Sequence, residues 1–177
     1  SMVLLKNNGV LPLSKNSKIA LAGPFARERR SLLGTWTLDG REEETPNFYE
    51  AITEVLTEGQ LFCQDNTGCF DNSVEVATKS DVVHLATGER NSVADITLSE
   101  SQIELVNKMH ALGKRIVGVF FCGRPLALGD VAEKLDAILY AWHCGSETAH
   151  AACDILFGDA VPSGKTTVTF PRKSTHI

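Results

Sequence analysis

Short, almost continuously apolar runs recur along the chain and alternate with longer segments of helical period. Runs of this kind predict strands that are covered on both faces, as parallel strands are. Four of them are well marked, at residues 18–24, 81–87, 115–121 and 136–142. Two weaker strand candidates lie at residues 59–64 and 166–170. The pattern therefore predicts a sheet of roughly six strands.

The segments between the strands predict helices with recognisable ends. Residues 45–59 have Pro46 near the start and Gly59 at the close, and residues 146–158 end at Gly158. A third helix begins at Ser99, which stands three residues before Gln102, the spacing of a capping box. Strands that alternate with helices predict an α/β fold: one domain over residues 1–177, a flavodoxin-like three-layer α/β/α sandwich around a mostly parallel sheet.

Polar residues follow the ends of several predicted strands, where parallel sheets bind ligands. Glu89 and Arg90 follow the strand at 81–87, and a carboxyl there suits a general acid or a hydrogen bond to a ligand. Arg124 follows the strand at 115–121 and either clamps a ligand carboxylate or sugar hydroxyls, or pairs with Asp130. These residues are the candidate site.

A metal site is the less favoured interpretation of the histidines near the C-terminus. His143, Glu147 and His150 follow the strand at 136–142 at spacings that can share a helix face. The pattern is not H-E-x-x-H and shows no clear third ligand, so we expect no metal. Glu147 is better explained as an acidic residue at the positive end of a helix dipole.

The segment FGDAVPSGKTTVTFP at residues 157–171 resembles a phosphate-binding loop at first sight. Five residues separate Gly158 from Gly164 where a P-loop has four, a helix precedes the loop, and Pro162 removes an amide donor. We therefore predict a turn between a helix and an edge strand, with no nucleotide. Gly23 after the first long strand also lacks the G-x-G-x-x-G spacing of dinucleotide sites.

Charge and composition narrow the classes of partner. The net charge is −5 and no basic block occurs, which argues against nucleic acid. No apolar run approaches the ~20 residues of a membrane span, so we expect a soluble domain. The five cysteines contain no C-x-x-C pair, and a disulfide between Cys63 and Cys69 stays open. Localisation cannot be assigned from these features.

Four separated stretches resemble one family, in the same order along the chain. They are MVLLKNNGVLPL near the start, IALAGPFARERRSLLGTWTLDG, CGRPLAL, and AILYAWHCGSETAHAACDILFGDAVPSGKTTVTFP. Together they are similar to the C-terminal domain of glycoside hydrolase family 3, the β-glucosidases and β-xylosidases. The resemblance implies an (α/β)6 sandwich and no cofactor.

The resemblance also implies an activity that this chain shares with another domain. Family members hydrolyse terminal β-linked sugars with retention, using two carboxyl groups ~5 Å apart. The nucleophilic Asp lies in a barrel domain N-terminal to this one, and no stretch of the chain encodes that barrel. We therefore expect one wall of a β-glucosidase site, inactive alone. Its partners would be the barrel domain and a β-glucosidic oligosaccharide or an aryl or alkyl glucoside.

The resemblance allows two interpretations of the acid/base residue. Many members carry a GE directly after the third strand and a second Glu in a later SGE-like element, which is missing from TGERNSVADITLSESQ. Glu89 is the favoured candidate for the acid/base. The alternative is that Glu89 matches only the first, non-catalytic GE, and that the acid/base is missing or comes from elsewhere. Arg90 and Arg124 are the predicted substrate-binding residues.

Two other functions stay open at this stage. One is a non-catalytic sugar-binding or scaffold domain of the same family, and the other is an unrelated flavodoxin-like ligand binder. Trp36, Leu38 and Trp142 are candidates for an apolar patch that docks on the barrel.

Overall fold

Six strands form one sheet in a computed structural model that describes residues 1–35, 37–63, 70–89 and 95–176. The order across the sheet is β1-β6-β5-β4-β2-β3. The strands are β1 (Val3–Asn7), β2 (Ile19–Ala22), β3 (Leu61–Cys63), β4 (Val82–Gly88), β5 (Arg115–Phe121) and β6 (Ala137–Tyr140). Neighbours among β2 to β6 pair in parallel, and β1 pairs antiparallel with β6. The predicted mostly parallel sheet is confirmed.

Helices cover both faces of this sheet. They are α1 (Arg30–Leu33), α2 (Phe48–Val55), α3 (Phe70–Thr78), α4 (Glu100–Ala111), α5 (Gly129–Lys134) and α6 (Thr148–Phe157). Side chains of α1, α2 and α6 pack into one core cluster, and those of α3, α4 and α5 pack into a second. The three-layer sandwich is therefore confirmed. In the described part of the chain, none of the helices has the length and apolar character that a membrane span requires.

The parallel strands follow the flavodoxin-like order. The chain steps outward from β2 to β3, returns to β4 on the other side of β2, and continues to β5 and β6. The direction of winding therefore reverses between β2 and β4, which is where open α/β sheets often form a ligand crevice. The sheet adds β1 at its far edge, antiparallel to β6.

The predicted strand at residues 166–170 is wrong. Residues 165–169 are exposed and pair with no strand in the described residues, and the sixth strand is β1 instead. Thr166, Thr167 and Val168 have high strand propensity, but propensity forms a strand only where a neighbouring strand offers a ladder. The preceding helix stop is confirmed, because Gly158 ends α6 with a φ of 83°.

The capping box predicted at α4 is also wrong, and a true one begins α2. The Asn47 side chain accepts a bond from the Glu50 amide at 2.9 Å, and the Glu50 carboxylate accepts one from the Asn47 amide at 3.0 Å. Ser99 makes no such bond to the α4 backbone. The Gln102 side chain, which would complete the box, turns instead toward the end of β4.

Candidate functional site

The crevice between β2 and β4 is filled by the chain itself. After β2, the Phe25 amide donates to the Ala86 carbonyl of β4 at 3.1 Å. The Phe25 ring is buried and stacks on Phe121 with centroids 5.9 Å apart. A Cβ on Gly23 would lie 2.3 Å from the Ala86 oxygen, so only glycine allows this close approach. Polar groups therefore gather farther along the edge, after β4, β5 and β6.

Glu89 and Arg124 meet at that edge and form a two-pronged ion pair. The Arg124 Nε donates to Glu89 Oε2 at 3.0 Å, and Nη2 donates to Oε1 at 2.6 Å. The Glu89 side chain is 11% exposed and the Arg124 side chain is 28% exposed. Pairing with Glu89 raises the pKa of Arg124 above its ordinary value. The two predicted site residues are thus brought together. The carboxylate that pairs with Arg124 is Glu89 and not Asp130, and the role of Arg124 in substrate binding stays a prediction.

Gly88, just before Glu89, is held by a side chain that sequence reasoning missed. The Gln102 amide nitrogen donates to the Gly88 carbonyl at 3.0 Å, and its oxygen accepts from the Gly88 amide at 2.9 Å. Gln102 thus replaces a strand neighbour at the point where β4 ends. Gln102 is buried. A polar residue on the inward face of a predicted helix was the sequence signal that could have revealed this role.

The Tyr140 hydroxyl holds the backbone around Arg124 in place. It donates to the Arg124 carbonyl and accepts from the Leu126 amide, both at 2.8 Å. Burial raises the pKa of Tyr140, so the hydroxyl keeps the proton that it donates. Burial also raises the pKa of the adjacent Cys122 thiol to about 12. These two groups act as neutral parts of the frame.

His143 lies between two glycine-containing loops of the same edge. A Cβ on Gly34 would come 2.9 Å from the His143 Cβ, and one on Gly123 would come 3.2 Å from its Cδ2. Burial lowers the pKa of His143. The preceding Trp142 has a φ of 61°, unusual for a residue with a side chain. His143 therefore packs between the loops after α1 and β5 as a mostly neutral ring.

His150, which entered the metal interpretation, joins two helices. Its Nδ1 lies 2.8 Å from Glu147 Oε2 and its Nε2 lies 3.1 Å from Glu54 Oε2. The bond to Glu147 is the main reason why the pKa of His150 is raised. Among the described residues, no group of three or more acidic, histidine or cysteine side chains is arranged to hold a metal ion.

The remaining predicted residues have different outcomes. Leu38 is 98% exposed and lies on the surface, as a docking residue must. Trp142 is half-buried and packs against Tyr140 and Phe170, with centroids 4.7 and 5.9 Å away. Arg90, Trp36 and Cys69 lie outside the described residues, so the predictions made for them stay predictions.

Comparison with known proteins gives consistent similarities over this chain. The model of the glycosyl hydrolase family 3 C-terminal domain matches residues 2–177. A periplasmic β-glucosidase of Salmonella typhimurium is 32% identical over all of this chain, and a β-xylosidase of Formosa agariphila is 34% identical over 97% of it. The crystal structure of a β-glucosidase from Listeria innocua in complex with isofagomine superposes with a TM-score of 0.92, at 35% identity over the whole chain.

The similarity covers only one part of these proteins. The chain spans 28% of the Salmonella β-glucosidase, 27% of the Formosa β-xylosidase and 26% of the Listeria structure. The same Listeria enzyme has also been solved in complex with glucose, and a mutant of it in complex with laminaribiose. In the Listeria structure, the matched portion has the fold described above.

Proposed function

Since the chain belongs to the glycosyl hydrolase family 3 C-terminal domain family, we propose that it forms one wall of the sugar site of a retaining β-glucosidase. The observation that carries the proposal is the match over residues 2–177, together with the superposition on a β-glucosidase that binds isofagomine. The polar groups at the ends of β4, β5 and β6 supply the wall. The chain acts as a single domain of a larger enzyme.

The chemistry requires a second domain. Retaining hydrolysis needs a nucleophilic carboxylate and an acid/base carboxyl about 5 Å apart. The nucleophile belongs to a barrel domain that docks on the carboxyl edge of this sheet. Leu38 is a candidate for the docking surface, because covering a leucine that is 98% exposed is favourable.

The substrate class follows from the relatives. β-Glucosidases and β-xylosidases both occur among them, and the Listeria structures with glucose and laminaribiose favour a glucoside. We therefore expect a β-glucosidic oligosaccharide or an aryl or alkyl glucoside. Arg90 stays a predicted substrate contact. Glu89 has two candidate roles, as the acid/base or as a fixed carboxylate that shapes the wall.

The test compares the 177-residue chain with the full-length product of its gene. We expect the gene to encode a barrel, and the full-length protein to hydrolyse an aryl β-glucoside faster than the matching aryl β-xyloside, with retention visible by proton NMR. The isolated chain should be inactive. A gene product that binds glucose in calorimetry but hydrolyses neither glycoside would refute the proposal and support the non-catalytic sugar-binding alternative.

A further inference from the structure

Arg124 contacts two points of the loop after β4 that are six positions apart. Its guanidinium holds the Glu89 carboxylate through both Nε and Nη2. Nη2 also donates to the Asp95 carbonyl at 2.9 Å. Glu89 and Asp95 stand on either side of residues 90–94, which the structure does not describe. One side chain of the β5 loop therefore fixes both described flanks of that segment.

Glu89 is held from its backbone as well as from its carboxylate. Its amide donates to the Phe121 carbonyl at 3.0 Å. The amide and the carbonyl of Gly88, the preceding residue, are both bonded to the Gln102 side chain. Gly88 has a φ of 146°, and a Cβ there would lie 2.0 Å from the Phe121 oxygen. The backbone at the end of β4 consequently has little freedom to swing the Glu89 carboxylate toward another partner.

Arg124 is itself fixed on a rigid support. Its carbonyl accepts the Tyr140 hydroxyl, whose ring is fully buried between Phe120 and Phe170, with centroids 5.7 and 4.8 Å away. The guanidinium can therefore define the position of its carboxylate partner. An arginine that was mobile on the surface would not do so, because it would lose side-chain entropy on pairing.

The pairing is unsuited to a proton donor. Both Glu89 oxygens accept charge-assisted bonds from a cation, and such bonds are strongest when the carboxyl is ionised. A general acid must instead carry a proton and direct it at the leaving oxygen. With 11% of its side chain exposed, Glu89 also offers little surface to a substrate.

We propose that Arg124 is a positioning residue that fixes Glu89 as an anchor at the end of β4, so that Glu89 shapes the sugar site and does not act as its acid/base. The role in the sugar site rests on the proposed function, whereas the anchoring itself does not. The first test therefore uses the 177-residue chain, and the second uses the full-length protein.

The first test measures hydrogen exchange at the Gly88 and Glu89 amides of the chain. Glu89→Gln and Arg124→Met should each accelerate exchange there about tenfold or more, because a bond to a charged group is lost. Arg124→Lys keeps the charge and should fall in between. The control is Arg172→Met, which breaks an exposed pair with Glu133 of the same residue types and should leave these amides unchanged.

Two outcomes of the first test would overturn the proposal. One is unchanged exchange at Gly88 and Glu89 in Arg124→Met, and the other is an equal acceleration in Arg172→Met. If Arg124→Met fails to fold, Arg124→Lys decides: an acceleration confined to Gly88, Glu89 and their neighbours supports the anchor, and wild-type rates there refute it.

The second test measures leaving-group dependence in the full-length protein. For an anchor, Glu89→Gln and Arg124→Met should lower kcat/KM by similar factors for an activated aryl glucoside and an alkyl glucoside. Azide should not rescue either variant, and the basic limb of the pH profile should persist. For an acid/base, Glu89→Gln would spare the activated substrate, respond to azide and lose the basic limb. That second result refutes the anchor.

The two tests separate failure of the anchor from failure of the proposed function. Full-length protein without glycosidase activity would refute the proposed function. The exchange rates of the Gly88 and Glu89 amides would still show whether Arg124 fixes Glu89. Active protein with an azide-rescued Glu89→Gln variant would support the glucosidase and overturn the anchor.

Discussion

The imidazole of His84 stacks on the ring of Phe48, with centroids 6.3 Å apart and planes inclined by 14°. His84 lies in the middle of β4 with none of its surface exposed, and neither ring nitrogen has a hydrogen-bond partner in the described part of the chain. Burial lowers the pKa of His84 from 6.5 to about 3. A neutral imidazole is therefore part of the core between β4 and α2.

His84 should make the fold sensitive to acid. Below pH 6.5 the unfolded chain binds a proton at His84 that the folded chain does not bind until about pH 3. The free energy of unfolding should therefore fall as the pH falls through this window, by up to about 1.4 kcal/mol per pH unit from this residue. Urea unfolding of His84→Leu at several pH values should lack this contribution. If His84→Leu kept the same pH slope as wild type, the prediction would be contradicted. The control variant is His110→Gln, at a histidine on the surface.

His150 should give the opposite pH dependence. Its bonds to Glu147 and Glu54 raise its pKa above 6.5, so the stabilisation is fully present below pH 6.5 and is lost as the pH rises through the raised value. His150→Gln should lower the Tm at pH 6 more than at pH 8.5. Because the residues are partly exposed, 0.5 M NaCl should shrink the difference between the two pH values. An equal change in Tm at both pH values would count against this role.

Helix capping offers a matched pair of alanine substitutions. Asn47→Ala removes a buried capping side chain from α2 and should lower the free energy of unfolding by about 1–2 kcal/mol. Ser99→Ala stands at the same position of α4, where no side-chain cap exists, and should cost less than about 0.5 kcal/mol. Denaturant unfolding of both variants measures the difference. Equal losses would mean that the Asn47 contact contributes little.

Gly88 should be the least replaceable of the glycines that end β-strands or helices with a positive φ. An alanine Cβ there would collide with the Phe121 carbonyl at 2.0 Å, so Gly88→Ala should cost more than about 2 kcal/mol or prevent folding. Gly113→Ala is the milder comparison, because its φ of 66° lies in the left-handed region that other residues can adopt and its Cβ meets no atom within 4 Å, so it should cost about 1 kcal/mol. Circular dichroism and denaturant unfolding would distinguish the two. Similar losses would show that the collision is relieved by a small shift.

Leu38 should matter for association and not for stability. Since it is 98% exposed, Leu38→Ser should change the free energy of unfolding of the chain by less than about 0.5 kcal/mol. In a titration against the separately produced barrel domain, the same variant should weaken binding. Val161→Ser, at another exposed apolar position, is the control and should bind as wild type does. Unchanged binding by Leu38→Ser would remove this residue from the proposed docking surface.

The parallel part of the fold could be predicted because its buried strands appear in the sequence as short apolar runs. Every residue of β4 is buried, so the run carries apolar side chains on both faces and stands out in the sequence. The edge of the sheet could not be predicted in the same way. Residues 166–170 have higher strand propensity than residues 3–7, but only residues 3–7 lie beside β6 and pair with it.

The candidate site was predicted in outline for a related reason. Parallel strands end at one edge, so Glu89 and Arg124 were expected on the same side of the molecule. Their direct pairing could not be read from a separation of 35 residues, because it depends on the register of β4 against β5. The role of Gln102 was missed since its spacing from Ser99 satisfies a local rule, while its amide fits the backbone of Gly88 better.

The position of Phe25 also has a consequence for chemical targeting. Its ring lies where doubly wound folds usually seat a cofactor, between the strands at which the winding reverses. In the described part of the chain, that position is core and contributes to cohesion. Inhibitors that resemble nucleotides would therefore have to displace a buried aromatic ring to enter there. Compounds that bind at the exposed Leu38, where we propose that a second domain docks, would not have to displace that ring.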